Sequence, residues 1–511
     1  MQLFQLQLSA LVGLALWTSS VSALFPATNA TKSAGQQACS QLSKQLGSKV
    51  ASVAIDPSYI VSTTYYYSEQ QAENKPSCVV APTAYSDVQS AMKTIRQYNS
   101  TLAIKAGGHQ TNNYWSSVAG GVLIDFKNMK SKSFTPGSTT GYFQPGNRWD
   151  DLYQYYAQFG MVPVGGRIGG VGSGLAIGGG LSFLSAEYGL ACDQFTQLDV
   201  VLPDGSLVTA TKDNQYSDLL LAIKGGGNQF GIVVGYTVQV YPQDPEVYGG
   251  LLIYGADQID AVYDQVLNFT NQNTDPKAAV IATLDVIGLP SALDLVTYPV
   301  LKGLTTFIIL FNVYNGPDGQ PAFTQFEKIP HLLDTRKKQP YTAVASMVDI
   351  GHFSSGSVSY RAASHNSNTP TSAATLKAAI QNFQDFANTA HGTYDILSFD
   401  VQPVAASLVQ QSRARGGNAQ DSVDGPYYWI NYLHSSLPGL YTGVPQALAE
   451  LKTAVEKTPN NATLPIFLND ANADQPILQS YHAYDKLKAA KAKYDPQNYF
   501  STHMGGPSFT N

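Results

Sequence analysis

Ile104-Lys105-Ala106-Gly107-Gly108-His109-Gln110 and, further on, Val171-Gly172-Ser173-Gly174-Leu175-Ala176-Ile177-Gly178-Gly179-Gly180 decide how this chain reads. Leu102 to Ala106 is an apolar run that predicts a strand leading straight into Gly107-Gly108-His109. Glycine lets backbone N–H groups approach a ligand closely and accept positive φ. Successive N–H groups in such loops form nests for anions, a pyrophosphate among them. The clusters are Gly107-Gly108, Gly169-Gly170-Val171-Gly172-Ser173-Gly174, Gly178-Gly179-Gly180 and Gly225-Gly226-Gly227, all in the first half of the chain. One cluster alone reads as a tight turn, but this many together point to a nucleotide ligand. The Rossmann fingerprint does not fit. Pro163 and Gly165-Gly166 interrupt the strand that should precede Gly172-Ser173-Gly174, and the third glycine, Gly178, comes one residue late.

Outward from these loops, the pattern alternates strands and helices. Cys78 to Ala81 is a short apolar strand, and Val88, Met92, Ile95 and Tyr98 share one helical face. Gly121 to Phe126 is another strand. Asp150 to Phe159 is a helix with Leu152, Tyr155, Tyr156 and Phe159 inward. Leu198–Leu202 and Leu207–Ala210 flank the turn Pro203-Asp204-Gly205-Ser206, which predicts a hairpin. Ser217 is positioned to cap a short helix, and Ile232 to Tyr241 is a long β-rich run. After Pro242 the glycine clusters thin out. Ala278–Val286 and Leu304–Val313 read as strands, Thr375–Ala390 and Leu478–Lys493 as helices.

The 511 residues are 44% hydrophobic and 13% charged, which describes a globular chain with a sizeable core. The formal charge of -6 and the lack of a basic run argue against a nucleic-acid partner. The apolar stretch Leu8–Trp17 followed by Val21-Ser22-Ala23 predicts a secretory leader over 1–23 and no stable membrane span. The sequons at Asn29, Asn99, Asn268 and Asn461 are consistent with a secreted glycoprotein. Of three cysteines, Cys39 and Cys78 are the expected disulfide and Cys192 a buried free thiol. No metal-ligand spacing and no nucleophile elbow occur.

The strand-Lys-x-Gly-Gly-His motif at 105–109 and the loop at 171–180 resemble the berberine-bridge-enzyme-like FAD-linked oxidases, of the vanillyl-alcohol-oxidase superfamily with PCMH-type FAD-binding domains. So do Tyr188-Gly189-Leu190-Ala191-Cys192-Asp193, Leu198 to Gly205, Ala222 to Val233, and the terminal Lys493-Tyr494-Asp495-Pro496-Gln497-Asn498-Tyr499-Phe500. The resemblance spans nearly the whole mature chain. It implies an α+β fold with two lobes. A PCMH-type FAD-binding domain would take 24–245, and 476–511 would return to it. An inserted substrate lobe over 246–475 would be an antiparallel sheet backed by helices. It also implies FAD as cofactor, held by Lys105, Ala106, Gly107, Gly108, His109 and Gln110 on one loop. Gly172, Ser173, Gly174, Gly178, Gly179 and Gly180 would hold it on the other, with Asp193, Ile232, Val233 and Asn498 as further contacts. His109 matches the histidine bonded to the flavin. Ile168 stands where some members carry a cysteine that makes a second bond, so a single covalent link is expected.

The family's Asn-Tyr-Ala, whose tyrosine helps deprotonate the substrate, is here Asn469-Asp470-Ala471. Asp470 is therefore the candidate base, and a turn-capping aspartate is the competing reading. Tyr114, Trp115, Tyr427, Tyr428, Trp429 and His434 are candidates for an aromatic pocket wall. The expected activity is oxidation of a small, mostly apolar metabolite, with O2 as acceptor giving H2O2. A carbohydrate oxidase, and a non-redox cyclase or binding protein on the same fold, are the alternatives. Oligomeric state is left open.

Overall fold

The computed structural model describes residues 29–52, 54–288, 305–347, 356–437 and 443–509. The expected leader lies outside these residues. Three sheets organise the rest.

The first sheet is built from runs too apolar to show a wet face. Cys78–Val80 and Leu102–Lys105 both pair in parallel with Val122–Asp125, and Val50–Ala51 adds an antiparallel edge. Parallel neighbours need a crossover. The helix Tyr85–Gln97 forms part of it, burying Val88, Met92 and Ile95 completely. Tyr98 sits just past the helix end and is half-buried. Cys39, on the helix Asn29–Leu46, is disulfide-bonded to Cys78. Cys192 is the free, fully buried thiol.

The second sheet is antiparallel and centres on Ile232–Pro242. Phe195–Val201 and Thr140–Phe143 flank that strand, and Met161–Pro163 pairs with its far end. Phe195–Val201 returns through a tight turn into Leu207–Thr211. There Gly205 takes φ +82 and Asp204 Oδ1 accepts the Ser206 N–H, as the Pro-Asp-Gly-Ser signal requires.

The third sheet is antiparallel throughout, with long strands ordered Val247–Gly255, Thr306–Tyr314, Ala278–Ile287, Ile396–Val404, Tyr427–Ser436, Ser357–Asn366. Alternation divides each strand between two partners. Val280, Ala282 and Leu284 pack with Leu397, Phe399 and Val401 on the apolar faces of the helices Ile259–Gln272, Ser372–Thr389 and Val444–Glu456. Ile281, Ile287, Phe307, Ile309 and Phe311 face the other way, towards the core of the second sheet.

The chain then returns. Lys493 Nζ and Tyr494 Oη both donate to the Asp218 carboxylate, and Tyr499 Oη donates to the Ser100 carbonyl at 2.9 Å. Three sequence expectations change. The helix expected from Leu478 begins at Tyr484, because the chain before it is drawn off by His482 N–H donating to the Gln420 carbonyl. Ser217 is the first residue of its helix; Tyr216 holds the cap position. Phe159, just beyond the helix Trp149–Ala157, is 38% exposed and so does not point inward.

Candidate active site

The two glycine loops meet back to back. A Cβ on Gly107 would lie 2.4 Å from Gly172 N, and one on Gly172 would lie 2.3 Å from Gly107 N. Glycine is required at both because main chain touches main chain. Above this contact opens a cavity of about 440 Å³. Ala106, Gly107, Gly108, His109 and Gln110 line it from the first loop, and Gly172, Ser173, Gly174 and Gly178 from the second. Ile232 and Val233 close that side.

Five of the expected cofactor contacts are elsewhere. Lys105 follows Ile104 and precedes Ala106, both on the cavity side, so strand alternation turns it away. Its Nζ donates to the Ser62 carbonyl at 2.7 Å over the Tyr66 ring, and burial lowers its pKa to about 8. Gly179 and Gly180 lie behind Gly178, where their carbonyls accept from Cys192 and Ala191 N–H. Asp193 is committed to Leu190 N–H, Ser412 and Asn418. Asn498 takes φ +52 at the start of the helix Tyr499–His503 and is a turn residue.

The segment around Asp470 ties both loops to the third sheet. Asn469 Oδ1 accepts from Gly180 N–H, and its Nδ2 donates to the Leu175 carbonyl. Asn112, just beyond His109, donates to the Ala471 carbonyl at 2.8 Å and accepts from Ala473 N–H at 2.8 Å. The turn at Asp470 is closed by its backbone N–H, which donates to the Phe467 carbonyl. Its carboxylate instead lines the cavity and accepts from Gln402 Nε2 at 2.7 Å.

The third sheet supplies the opposite wall, and here sequence reading missed most of the chemistry. Thr283, Asp400 and Asn431 stand directly across three neighbouring strands, and Asp285, Ser398 and Leu433 form the next row. All six line the cavity. Asn431 Nδ2 donates to Asp400 Oδ2 at 3.0 Å, while Asp400 Oδ1 is buried without a partner. Ser398 Oγ donates to Asp285 at 2.5 Å. Burial, with the Asp470 charge as the next cause, raises the Asp400 pKa to about 7. Burial raises Asp285 to about 8, against the Ser398 hydrogen bond. Asp470 is also raised by burial, but the Gln402 amide and the Arg167 charge oppose the shift.

Two tyrosines complete the wall near His109. Tyr67 stacks on the His109 ring with centroids 5.1 Å apart, and Tyr360 Oη donates to Tyr67 Oη at 3.2 Å. Of the aromatic candidates, Trp115 lines the cavity. Tyr114 does not, and takes φ +66 in the turn before Trp115. Tyr428 and His434 fall on odd steps from Asn431 and face the helices, not the cavity. Tyr427 and Trp429 share the Asn431 face but lie beyond the cavity, where Trp429 stacks on Phe467.

Residues 76–211 match the family model described as an FAD binding domain. Along most of its length the chain is similar to FAD-linked oxidoreductases. It is 28% identical over 469 residues to an uncharacterized FAD-linked oxidoreductase of Arthroderma benhamiae, covering 86% of this chain and 88% of that one. It is 29% identical over 448 residues to the bifunctional solanapyrone synthase of Alternaria solani, covering 85% and 82%. The fold is that of 6-hydroxy-D-nicotine oxidase from Arthrobacter nicotinovorans, with TM-score 0.72, 18% identity and coverage of 89% and 97%. FAD fits the residues present. Gly107, Gly108, Gly172, Gly174 and Gly178 all line the cavity, and a Cβ on Gly174 would meet nothing within 4 Å, so one wall is glycine main chain of the kind that takes a pyrophosphate. Ile168 lines the same cavity.

Proposed function

We propose that this FAD-linked oxidoreductase oxidises a small, largely apolar metabolite at a hydroxyl-bearing carbon or its conjugated equivalent, with FAD attached through a single bond to His109. The observation that carries the reading is the cavity itself. A glycine cradle forms one wall, and a sheet face with carboxylates set among Ile281, Ile287, Phe307, Ile309 and Phe311 forms the other. FAD would accept a hydride equivalent at its N5 and return the electrons to O2 as H2O2.

The chain's own residues divide the remaining work. Gly107 and Gly172 keep the two loops in direct contact beneath the cavity. Tyr67 fixes the His109 ring by stacking, and its hydroxyl is held by Tyr360. The substrate's O–H proton goes to Asp400. A pKa of about 7 leaves that carboxylate able to take a proton and release it again near neutrality. Asp470 is less suited, since Gln402 already donates to it and the Arg167 charge favours its ionised form. The base is thereby reassigned from Asp470 to Asp400, and Asp470 orients Gln402. The apolar residues around the acidic row favour a metabolite over an oligosaccharide. The relation to solanapyrone synthase supports the same choice. Export is supported by the Cys39–Cys78 bond, which oxidising compartments maintain, and by the exposed sequons Asn99 and Asn268.

The test is acid denaturation of the purified protein alongside His109→Ala. Flavin absorbance that stays with the precipitated wild-type chain and leaves the variant establishes the bond. Flavin released from both refutes it. H2O2 release across a panel of alcohols and phenols then tests the chemistry.

A further inference from the structure

Arg167 lies in the turn after Met161–Pro163, next to Ile168, and lines the cavity. Its Nη2 donates to Gln402 Oε1 at 2.5 Å, and Gln402 passes its own Nε2 to Asp470. Nη1 is buried and has no hydrogen-bond partner. No carboxylate among the described residues forms an ion pair with this guanidinium; Asp470, Asp400, Tyr341 and Tyr360 act on it through space. A guanidinium offers five N–H donors and remains protonated in proteins. A buried cation without a contact anion is costly unless a ligand supplies one. The network also fixes the amide of Gln402, since Oε1 must face Arg167 and Nε2 must face Asp470. That neutral amide keeps the cation and the carboxylate from neutralising each other directly.

The geometry points to Arg167 as the counter-charge for an acidic oxygen on the substrate, so that the cavity selects phenols, enols or carboxylic acids over neutral isosteres. This rests on reading the cavity as the oxidase site. On that reading the substrate O–H bond breaks, the proton moves to Asp400, and the electron pair stays on oxygen facing the guanidinium. Arg167 is then a specificity-determining residue. Gln402 is the positioning residue that leaves the charge available.

The experiment uses the holoenzyme and two probes that differ by one hydroxyl, 4-cyanophenol and benzonitrile, titrated by calorimetry. Wild type is expected to bind the phenol at least about tenfold more tightly, as a charge-assisted hydrogen bond provides. Arg167→Gln is expected to erase that preference. Gln402→Glu gives Arg167 an internal carboxylate and is expected to reduce the preference by a similar factor. It decides the matter if Arg167→Gln does not fold. Equal binding of the two probes by wild type overturns the proposal. So does an undiminished preference in a folded Arg167→Gln, or in Gln402→Glu. A variant that keeps the preference while its flavin absorbance shifts assigns the guanidinium to the cofactor instead. Flavin content is read on the same samples. Its absence refutes the proposed function, while the probe ratio alone decides the role of Arg167.

Discussion

Gly107→Ala puts a methyl group where the structure has none to spare. The new Cβ would stand 2.4 Å from Gly172 N and 2.7 Å from Gly172 Cα. Both contacts are backbone, so no side chain can rotate away and the two loops must separate. Overpacking of this kind costs about 1–3 kcal/mol, and a main-chain neighbour places it at the upper end. If the separation falls on the cofactor site, about 3 kcal/mol corresponds to roughly 100-fold weaker FAD binding. Gly174→Ala is the control. It sits at the start of a short helix on the same wall, has no positive φ, and its Cβ would meet nothing within 4 Å. Its stability should change by no more than about 1 kcal/mol, in the stabilising direction. The assay is urea unfolding of cofactor-free protein, with flavin per chain measured after reconstitution. Gly107→Ala that unfolds at the wild-type midpoint and takes up a full complement of flavin would refute the back-to-back contact.

Asp400→Asn should slow flavin reduction by about 100- to 10,000-fold, the usual range for a lost general base, read by anaerobic stopped flow. In wild type the same rate should rise with pH through about 7, as the Asp400 carboxyl ionises, and the variant should lose that step. Asp285 and Asp400 are raised from 3.8 to about 8 and about 7, so the cofactor-free folded chain binds more protons than the unfolded one over this window. Its stability should therefore fall as pH rises from about 4 towards 8, and Asp285→Asn should flatten the slope in denaturant titrations. The Cys39–Cys78 bond joins residues 39 apart, which the loop-entropy relation converts to about 4 kcal/mol. Cys39→Ser should lower the unfolding free energy by that order. Cys192 is fully buried and its thiol pKa is pushed up by burial, so native protein should resist a thiol reagent and denatured protein should react.

The glycine wall of the cavity was legible in the sequence because its signal is local. Gly107-Gly108-His109 and Gly172-Ser173-Gly174 are contiguous, and the contact they make needs the one residue type that stands out in a sequence. Of the five expected contacts that fall elsewhere, Lys105, Gly179 and Gly180 come from these two loops, and Asp193 and Asn498 from other stretches of the resemblance. Motif membership does not say which side of the backbone a residue takes, and Lys105, between two cavity-facing neighbours, shows why. The substrate wall was hidden for the opposite reason. Ala278–Ile287 reads as an apolar strand, and Thr283 and Asp285 within it look like interruptions. Only pairing with Ile396–Val404 and Tyr427–Ser436 makes them one row with Asp400 and Asn431. A period-two scan for polar residues inside buried strands would have flagged them. No spacing rule links Arg167 to Gln402, 235 positions further along the chain.

The two faces of the third sheet also explain how chemistry can vary here without loss of fold. Val401 and Ile430 are almost wholly buried against the helices and carry apolar packing. Asp400, Gln402 and Asn431, interleaved with them, face the cavity and add none of that packing. Exchange of one cavity-facing group therefore alters charge and proton affinity while the helix-facing core stays intact. The coupling runs within the cavity instead. Three carboxylates share it with one guanidinium, and like charges in a dry site cannot all ionise together. Each proton bound by Asp285 or Asp400 eases ionisation of the others. A substrate that delivers a proton to Asp400 and leaves its own negative charge facing Arg167 changes the site's net charge not at all. That neutrality is what a buried acid–base site requires, and it ties the choice of substrate to the same four side chains that would handle its proton.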